Sequence, residues 1–304
     1  MQEFFSKYYQ KLCAIRWIIG FVRCDIAEII RSRHFDPRIH WIRIPGIKSF
    51  YADPFIYSVD DEYINILYEE FPIEKDYGRI ALMRLDENFR LIDNKILLDI
   101  NDHLSYPYIF NENGIAYIFP EAAKTGKLTC YSYDHAARSI TFVQDIVDIP
   151  LLDSTILKYN KKYWLFGVRS LKDINYELLI FYSDNLLGPY EAHAGNPVRS
   201  GLNGSRFAGD FIKVDDSIYR PSQNCEKSYG ESITIFRLKH LSESEFEEEF
   251  HMNIEINRKR RHNKSIHSIH TINSFNDLIV VDGEKWIFSP LYRLRKYIRG
   301  LKNK

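Results

Sequence analysis

Ala52-Asp53-Pro54-Phe55-Ile56, Ser105-Tyr106-Pro107-Tyr108-Ile109, Leu152-Asp153-Ser154-Thr155-Ile156, Ala208-Gly209-Asp210-Phe211-Ile212 and Ser268-Ile269-His270-Thr271-Ile272 are five copies of one pattern. Each opens an apolar strand, passes through a polar turn and returns along a second apolar strand that ends in polar residues. Aligned on their second residues, the copies stand at 53, 106, 153, 209 and 269, with steps of 53, 47, 56 and 60 residues. A period of about 50 residues built wholly of strand-like segments is the signature of small sheets repeated around an axis. The expected fold class is all-β, a five-bladed β-propeller with helices at its N- and C-termini.

The composition agrees. Of the 304 residues 45% are hydrophobic and 15% aromatic, with 21 Tyr and 20 Phe, a mixture that favours strands. All-β architectures of this length commonly form one domain. Lys plus Arg and Asp plus Glu balance at 41 each, so no global field points to nucleic acid. Cysteines at 13, 24, 130 and 225 follow neither metal nor disulfide spacing, which leads to the expectation of a reduced, cytoplasmic chain. Glu3, Lys7 and Lys11 interrupt any apolar leader, so no signal peptide is expected. No apolar run reaches the roughly 18 residues that a spanning helix needs.

Outside the repeats, residues 1–35 read as a helical segment. Phe4, Phe5, Tyr8, Leu12, Ile15, Ile19, Val22, Ile26, Ile29 and Ile30 keep helical spacing. The propeller is assigned to 36–290. Residues 291–304 read as a basic amphipathic helix, with Leu291, Leu294, Tyr297, Ile298 and Leu301 on one face bordered by cations. Such a helix either docks on an anionic membrane surface or packs on the propeller with a solvated basic back, and both readings stay open. Leu238 to Phe250, rich in Glu, reads as a short helix or acidic connector, and 258–264 as a basic loop.

Each copy begins a hairpin, with turns at 59–62, 111–114, 159–162, 214–217 and 274–277. An antiparallel hairpin brings the end of its second strand back to the level where the first began. In a propeller the innermost strands surround the axis, so these positions converge on one mouth. Strand-one starts supply Asp53, Asp153, Asp210 and His270; strand-two ends supply Glu69, Glu70, Glu121, Arg169, Arg220, Gln223 and Asp282. Carboxylates held together raise one another's pKa values, and cations among them hold others ionised. Turn capping by Asp is the competing explanation, but it accounts for neither Arg169 nor Arg220 nor Glu121.

Ala52-Asp53-Pro54-Phe55 with Asp153-Ser154-Thr155 resembles the five-bladed propellers of glycoside hydrolase family 43. The resemblance implies a blade-one Asp as catalytic base and a blade-three Asp that orients and tunes, positions matched by Asp53 and Asp153. The blade-four Glu that serves as acid in that family is missing, because the place reads Ala208-Gly209-Asp210.

A fuller set is similar to the propeller domain of plant glucosamine inositolphosphorylceramide transferases and of bacterial proteins fused to formyltransferase-like domains. It comprises Glu69-Glu70 with Gly78-Arg79-Ile80, Ser105-Tyr106-Pro107-Tyr108-Ile109-Phe110, Pro120-Glu121 and Trp164-Leu165-Phe166. Arg206-Phe207-Ala208-Gly209, Arg220-Pro221-Ser222-Gln223-Asn224-Cys225 with Tyr229-Gly230, His270-Thr271 and Val281-Asp282-Gly283 complete it, over about residues 41 to 286.

The missing acid separates two reactions. Hydrolysis of an ordinary glycoside must protonate a poor leaving group, whereas a sugar phosphate leaves as an anion and needs cations instead. The expected function is therefore glycosyl transfer from an activated phosphate donor to a glycan or glycolipid acceptor, in cell-surface polysaccharide assembly. Asp53 is the expected general base and Asp153 its electrostatic partner. Arg206 and Arg220 are expected on donor phosphates, and Glu121, Gln223, Tyr229 and His270 on sugar hydroxyls. Glu70, Arg169, Asp210 and Asp282 complete the expected substrate contacts.

The alternatives are a family 43-like inverting hydrolase of furanosides, with Glu121 or Glu70 as acid, or a non-catalytic glycan-binding propeller. No cofactor is expected. Neither the spacing of His262, His267 and His270 nor any other pattern supports a metal. The expected location is cytoplasmic, at the inner membrane surface if the tail docks there.

Overall fold

The computed structural model describes residues 13–42, 48–171 and 175–289, which form five antiparallel sheets. The chain enters through β1 (Cys13–Arg23), α1 (Ile26–Ser32) and β2 (His40–Trp41). Blade one is β3 (Ser49–Val59), β4 (Ile64–Pro72), β5 (Arg79–Leu85) and β6 (Leu91–Leu98). Blade two is β7 (Ser105–Glu112), β8 (Ile115–Glu121), β9 (Leu128–Asp134) and β10 (Ser139–Val147). Blade three is β11 (Leu152–Tyr159), β12 (Lys162–Leu171), β13 (Asn175–Ser183) and β14 (Glu191–Ala192), with β15 (Arg199–Ser200) also on β13. In blade four, β16 (Asn203–Phe207) and β17 (Ile212–Val214) share the partner β18 (Ser217–Asn224), followed by β19 (Ser232–Leu241) and β20 (Phe246–Ile254). Blade five takes β21 (Ile272–Phe275) and β22 (Leu278–Phe288) from one end of the chain and β1 and β2 from the other. All five predicted turns join a pair of adjacent strands.

Blade five overturns the expectation of an N-terminal helix across 1–35. Residues 13–23 are a strand, paired with β22 from Cys13↔Phe288 to Arg23↔Leu278. Ile15, Ile19 and Val22 suit a helical period, but Ile15, Trp17, Ile19 and Phe21 equally suit a period of two. The β-branched and aromatic content settles the choice once an open strand edge is offered. Ile19 and Phe21 pack with Ile64, Ile66 and Tyr68 of blade one, and Val22 packs with Ile233, Ile235 and Met252 of blade four. This strand therefore closes the ring.

Only Ile26–Ser32 is α-helical among the described residues, with the Asp25 carboxylate accepting the Ala27 amide at 2.9 Å. The expected C-terminal helix at 291–304 and residues 1–12 lie outside the described residues. Among those described, no helix is long and apolar enough to cross a membrane.

Leu238 to Phe250 is likewise no helix. It is the β19–β20 hairpin, turning at Ser242, whose hydroxyl accepts the Glu245 amide at 3.0 Å. Its acidic residues alternate as a strand requires. Glu247 and Glu249 face solvent, and Glu248 turns inward onto Arg199 and Arg220.

The blade starts share an unusual backbone. Asp53, Tyr106 and Asp153 have φ of 49°, 43° and 47°, and Gly209 has 129°. At the first three the ladder of the blade's first strand pair skips residues, between Ala52 and Phe55, Ser105 and Tyr108, and Leu152 and Thr155, whereas Gly209 lies in the gap between β16 and β17, which both pair with β18. A left-handed bulge of this kind re-aims a side chain that a regular pleat would direct at a neighbouring blade. The fifth copy departs by one residue. Ile269 is buried in the apolar core, and His270 takes the inward place.

Tyr106 lies fully buried on the axis. Its hydroxyl donates to the Gly209 carbonyl at 3.0 Å, accepts the Gly209 amide at 3.1 Å and meets Thr155 Oγ1 at 3.0 Å, joining blades two, three and four. A Cβ on Gly209 would stand 2.0 Å from the Ile272 carbonyl oxygen. Gly209→Ala is therefore expected to cost about 3 kcal/mol, measured as a fall in the urea midpoint. An unchanged midpoint would show that this close approach does not matter.

Candidate active site at the propeller mouth

Two charged groups share the mouth. One belongs to blades five and one. The Asp282 carboxylate accepts the amides of Asp53 (3.0 Å), His270 (3.3 Å) and Thr271 (3.0 Å), and pairs with His270 Nδ1 at 2.8 Å. The other ring nitrogen, Nε2, stands 3.3 Å from Asp53 Oδ1. His270 thus bridges two buried carboxylates.

The second group belongs to blades two, three and four. Arg206 grips Asp153 with Nε (2.6 Å) and a terminal nitrogen (2.8 Å), a fork matched to a carboxylate. The same guanidinium lies 3.8 Å from Glu121 Oε2, which accepts the Asp153 amide at 3.1 Å. Tyr176 and Tyr229 lie beside the guanidinium, with ring centroids 5.4 Å and 5.2 Å away.

A backbone bond also reaches across to the first group: the Tyr106 amide of blade two donates to Asp53 Oδ2 at 3.2 Å. Three of the left-handed blade starts, Asp53, Tyr106 and Asp153, therefore donate their amides to a carboxylate of the preceding blade. Turn capping and site formation are here the same device.

Burial sets the protonation pattern. It raises Asp53 to about 6, with the His270 cation pulling the other way. It raises Glu121 to about 8, assisted by Asp153 and opposed by Arg206. Glu69 is driven well above the carboxylate range by burial and then by Asp53. Burial lowers the His270 pKa, but Asp282 and Asp53 outweigh it and leave the imidazole above its ordinary value. At neutral pH the mouth holds an ionised Asp53 beside the protonated carboxyls of Glu69 and Glu121.

Asp53, His270 and Asp282 offer ligand atoms all within 4.8 Å of one another, which sequence spacing did not suggest. Both imidazole nitrogens, however, already face carboxylates. A cation there would have to displace one of those pairs.

A family model described as "Glucosamine inositolphosphorylceramide transferase 1, N-terminal" matches residues 44–287, the span that carries all of these groups. The chain belongs to this family. It is 32% identical over 207 residues to glucosamine inositolphosphorylceramide transferase 1 of Oryza sativa subsp. japonica, covering 66% of this chain and 28% of that protein. The same-named protein of Arabidopsis thaliana is 32% identical over 222 residues, covering 70% and 28%. The chain thus matches little more than a quarter of the length of these relatives.

Among solved structures, Zg3597, a family 117 glycoside hydrolase from Zobellia galactanivorans, superposes with a TM-score of 0.56 at 10% identity over 92% of both chains. An exo-1,5-alpha-L-arabinanase from a bovine ruminal metagenomic library gives 0.50 at 12% identity, over 77% of this chain and 93% of that one. At such identities these likenesses bear on the fold alone.

Within this glucosamine inositolphosphorylceramide transferase N-terminal family member, not every predicted residue reaches the mouth. Asp53, Glu121, Asp153, Arg206, His270 and Asp282 do, and Tyr229 stands 45% exposed beside them. Arg220 does not. It is 1% exposed inside blade four, paired with Glu248 at 2.6 Å and donating to the Gly204 carbonyl. Gln223 is spent on the Phe207 carbonyl at 2.8 Å, and the Cys225 thiol accepts the Gly230 amide at 3.4 Å. The Arg-Pro-x-Gln-x-Cys motif therefore holds blade four together rather than touching a ligand.

Arg169 remains at the exposed rim of blade three, paired with Glu177 at 2.5 Å. Glu70 is held by Ser49 (3.0 Å) and Arg79 (3.1 Å). Asp210 binds Tyr108 at 3.3 Å and lines a separate small cavity with Ile26, Phe211, Ile212 and Asn273. The neighbour of Glu70 in the predicted set, Glu69, is the one that enters the cluster. The signal was Gly78, where a Cβ would lie 2.2 Å from Glu69 Oε1.

Two outcomes follow for stability. Arg220→Leu leaves Glu248 with Arg199 alone and the Gly204 carbonyl without this donor, and should cost about 2 kcal/mol in urea denaturation, while the folded variant keeps wild-type ligand affinity. Lost affinity at full stability would return Arg220 to the site. The second outcome concerns pH. Glu121 and Asp210, raised to about 8 and about 7, and His270, raised too, bind more protons in the folded chain than in the unfolded one. Stability must then fall as pH rises from about 6.5 to 8, by on the order of 1–2 kcal/mol. A urea midpoint that rises over this window would contradict the protonated mouth.

Proposed function

We propose that the mouth binds a glycosyl unit and that the chain transfers it from an activated phosphate donor to a hydroxyl of a glycan or glycolipid acceptor. The observation that carries this reading is the state of Asp53. Of the mouth aspartates, Asp153 is clasped by Arg206, and Asp282 is occupied by four donors. Among the described residues, Asp53 Oδ1 is buried with no hydrogen bond beyond the 3.3 Å approach of His270. It is an acceptor poised to take a proton, as a general base for an incoming hydroxyl must be.

The donor's leaving phosphate carries its own charge away and meets Arg206 and the His270 cation at the mouth. Arg169 and Arg220, committed to Glu177 and Glu248, take no part in this. Asp153 holds Arg206 in place. Membership of a family named for a glycosyl transfer supports the reaction class. A cytoplasmic location, an acceptor in surface polysaccharide assembly and membrane contact through 291–304 belong to the same proposal.

A second reading rests on Glu121. A carboxyl kept protonated to about 8 is the acid that hydrolysis of an ordinary glycoside needs, in the place of the missing blade-four Glu.

The two readings part on pH. Transfer with Asp53 as base should rise as pH passes about 6, because the base works only when ionised, and then stay level. Asp53→Asn should lower it by about 10²–10⁴-fold, assayed with sugar-nucleotide donors and oligosaccharide or lipid acceptors. Sugar release from aryl glycosides with a second, alkaline fall near 8, abolished in Glu121→Gln, would replace transfer by hydrolysis. Glycan binding with neither reaction would leave a binding propeller.

A further inference from the structure

Trp17 falls in the segment whose spacing suggests a helix, yet β1 carries it to the mouth. It pairs in register with Glu284 of β22, is 7% exposed, and lays its indole on the His270 ring with centroids 3.9 Å apart at 35°. Tyr229 closes the arrangement from blade four, edge-on to Trp17 at 6.3 Å and 82°, and 5.6 Å from His270. The stack fits only because residue 230 is glycine. At its φ of +62°, a Cβ would lie 2.6 Å from His270 Cβ and 3.1 Å from the Trp17 ring. Nothing in the charge pairing of His270 requires an aromatic partner, so the indole has a separate task.

We propose that Trp17 is a positioning residue: its indole face fixes the His270 ring so that one nitrogen meets Asp282 and the other meets Asp53. A ring held on one flat face cannot turn without losing both carboxylates. An indole face also attracts a cation, which favours the protonated imidazole. The groups that face His270 are Asp53 from β3, Asp282 and Glu284 from β22, Arg206 from β16 and Tyr229 from the β18–β19 connection. Trp17 supplies no charge of its own. It acts on Asp53 only through the imidazole, and it comes from the strand that closes the propeller. The site and the ring closure are thus joined through one side chain.

The consequence for Asp53 rests on its proposed role as base, but the consequence for His270 does not. The test is therefore an NMR pH titration of the His270 ring in wild type, W17L and W17F, with the reaction's pH profile alongside. Loss of the indole should lower the His270 midpoint by about one pH unit in W17L and by less in W17F. The weaker cation then pulls less on Asp53, so the acid limb of activity should move to higher pH in the same order.

His270 midpoints unchanged in both variants, even with lowered melting temperatures, would reduce Trp17 to packing and overturn the proposal. If W17L does not fold, W17F decides alone, a fall supporting the role and an unchanged midpoint removing it. A shifted midpoint in a chain without transferase activity would uphold the clamp and count only against the proposed reaction.

Discussion

The left-handed residue at the start of blades one to four is the constraint on which the rest depends. An L-residue takes that conformation only where its surroundings over-determine it. Here the surroundings are carboxylates of the preceding blade, which accept the amides of Asp53, Tyr106 and Asp153. The bulge turns the side chain toward the axis, and that side chain is in two of three cases another carboxylate. Blades five, one and two thus each supply a carboxylate to the next blade, and acids accumulate at one mouth as a result of how these blades are joined. Where charge would build up uncompensated, Arg206 and His270 are placed against it, and the carboxyls they do not reach, Glu69 among them, stay protonated.

The fold was largely legible because it repeats. Five copies of one hairpin, each with its turn in place, survive errors in any single copy. The convergence of Asp53, Glu121, Asp153, His270 and Asp282 was legible for the same reason, since strand phase puts them at one rim, whereas Arg206 was legible only through the family resemblance. What failed depended on partners that the repeat does not contain. Arg220, Arg169 and Glu70 hold rim positions, but their charges are met by Glu248, Glu177 and Arg79, which lie on other strands of the same blades. Residues 13–23 fit helix and strand periods alike, and the partner that decides between them lies at the far end of the chain.

These pairings also narrow the chemistry. A mouth prepared to hold a phosphate by several free guanidinium groups would be strongly cationic. Among the described residues this one has Arg206, already clasped by Asp153, and a histidine between two carboxylates. Under the proposed function, recognition rests largely on sugar hydroxyls meeting buried polar groups, of which Asp53 Oδ1 and Glu69 Oε1 have no hydrogen-bond partner among the described residues. The fold shared with glycoside hydrolases leaves the reaction open; the roles of Asp53 and Glu121 decide it.

The central claim is that a glycosyl group is bound at this mouth, against Asp53. A crystal structure of the chain with a bound sugar nucleotide or oligosaccharide tests it most directly. The account predicts sugar density at the mouth, with a hydroxyl or the anomeric carbon facing Asp53 Oδ1 and contacts to Glu121 and Tyr229. Density confined to the cavity beside Asp210, or to the outer strands of the blades, would contradict it.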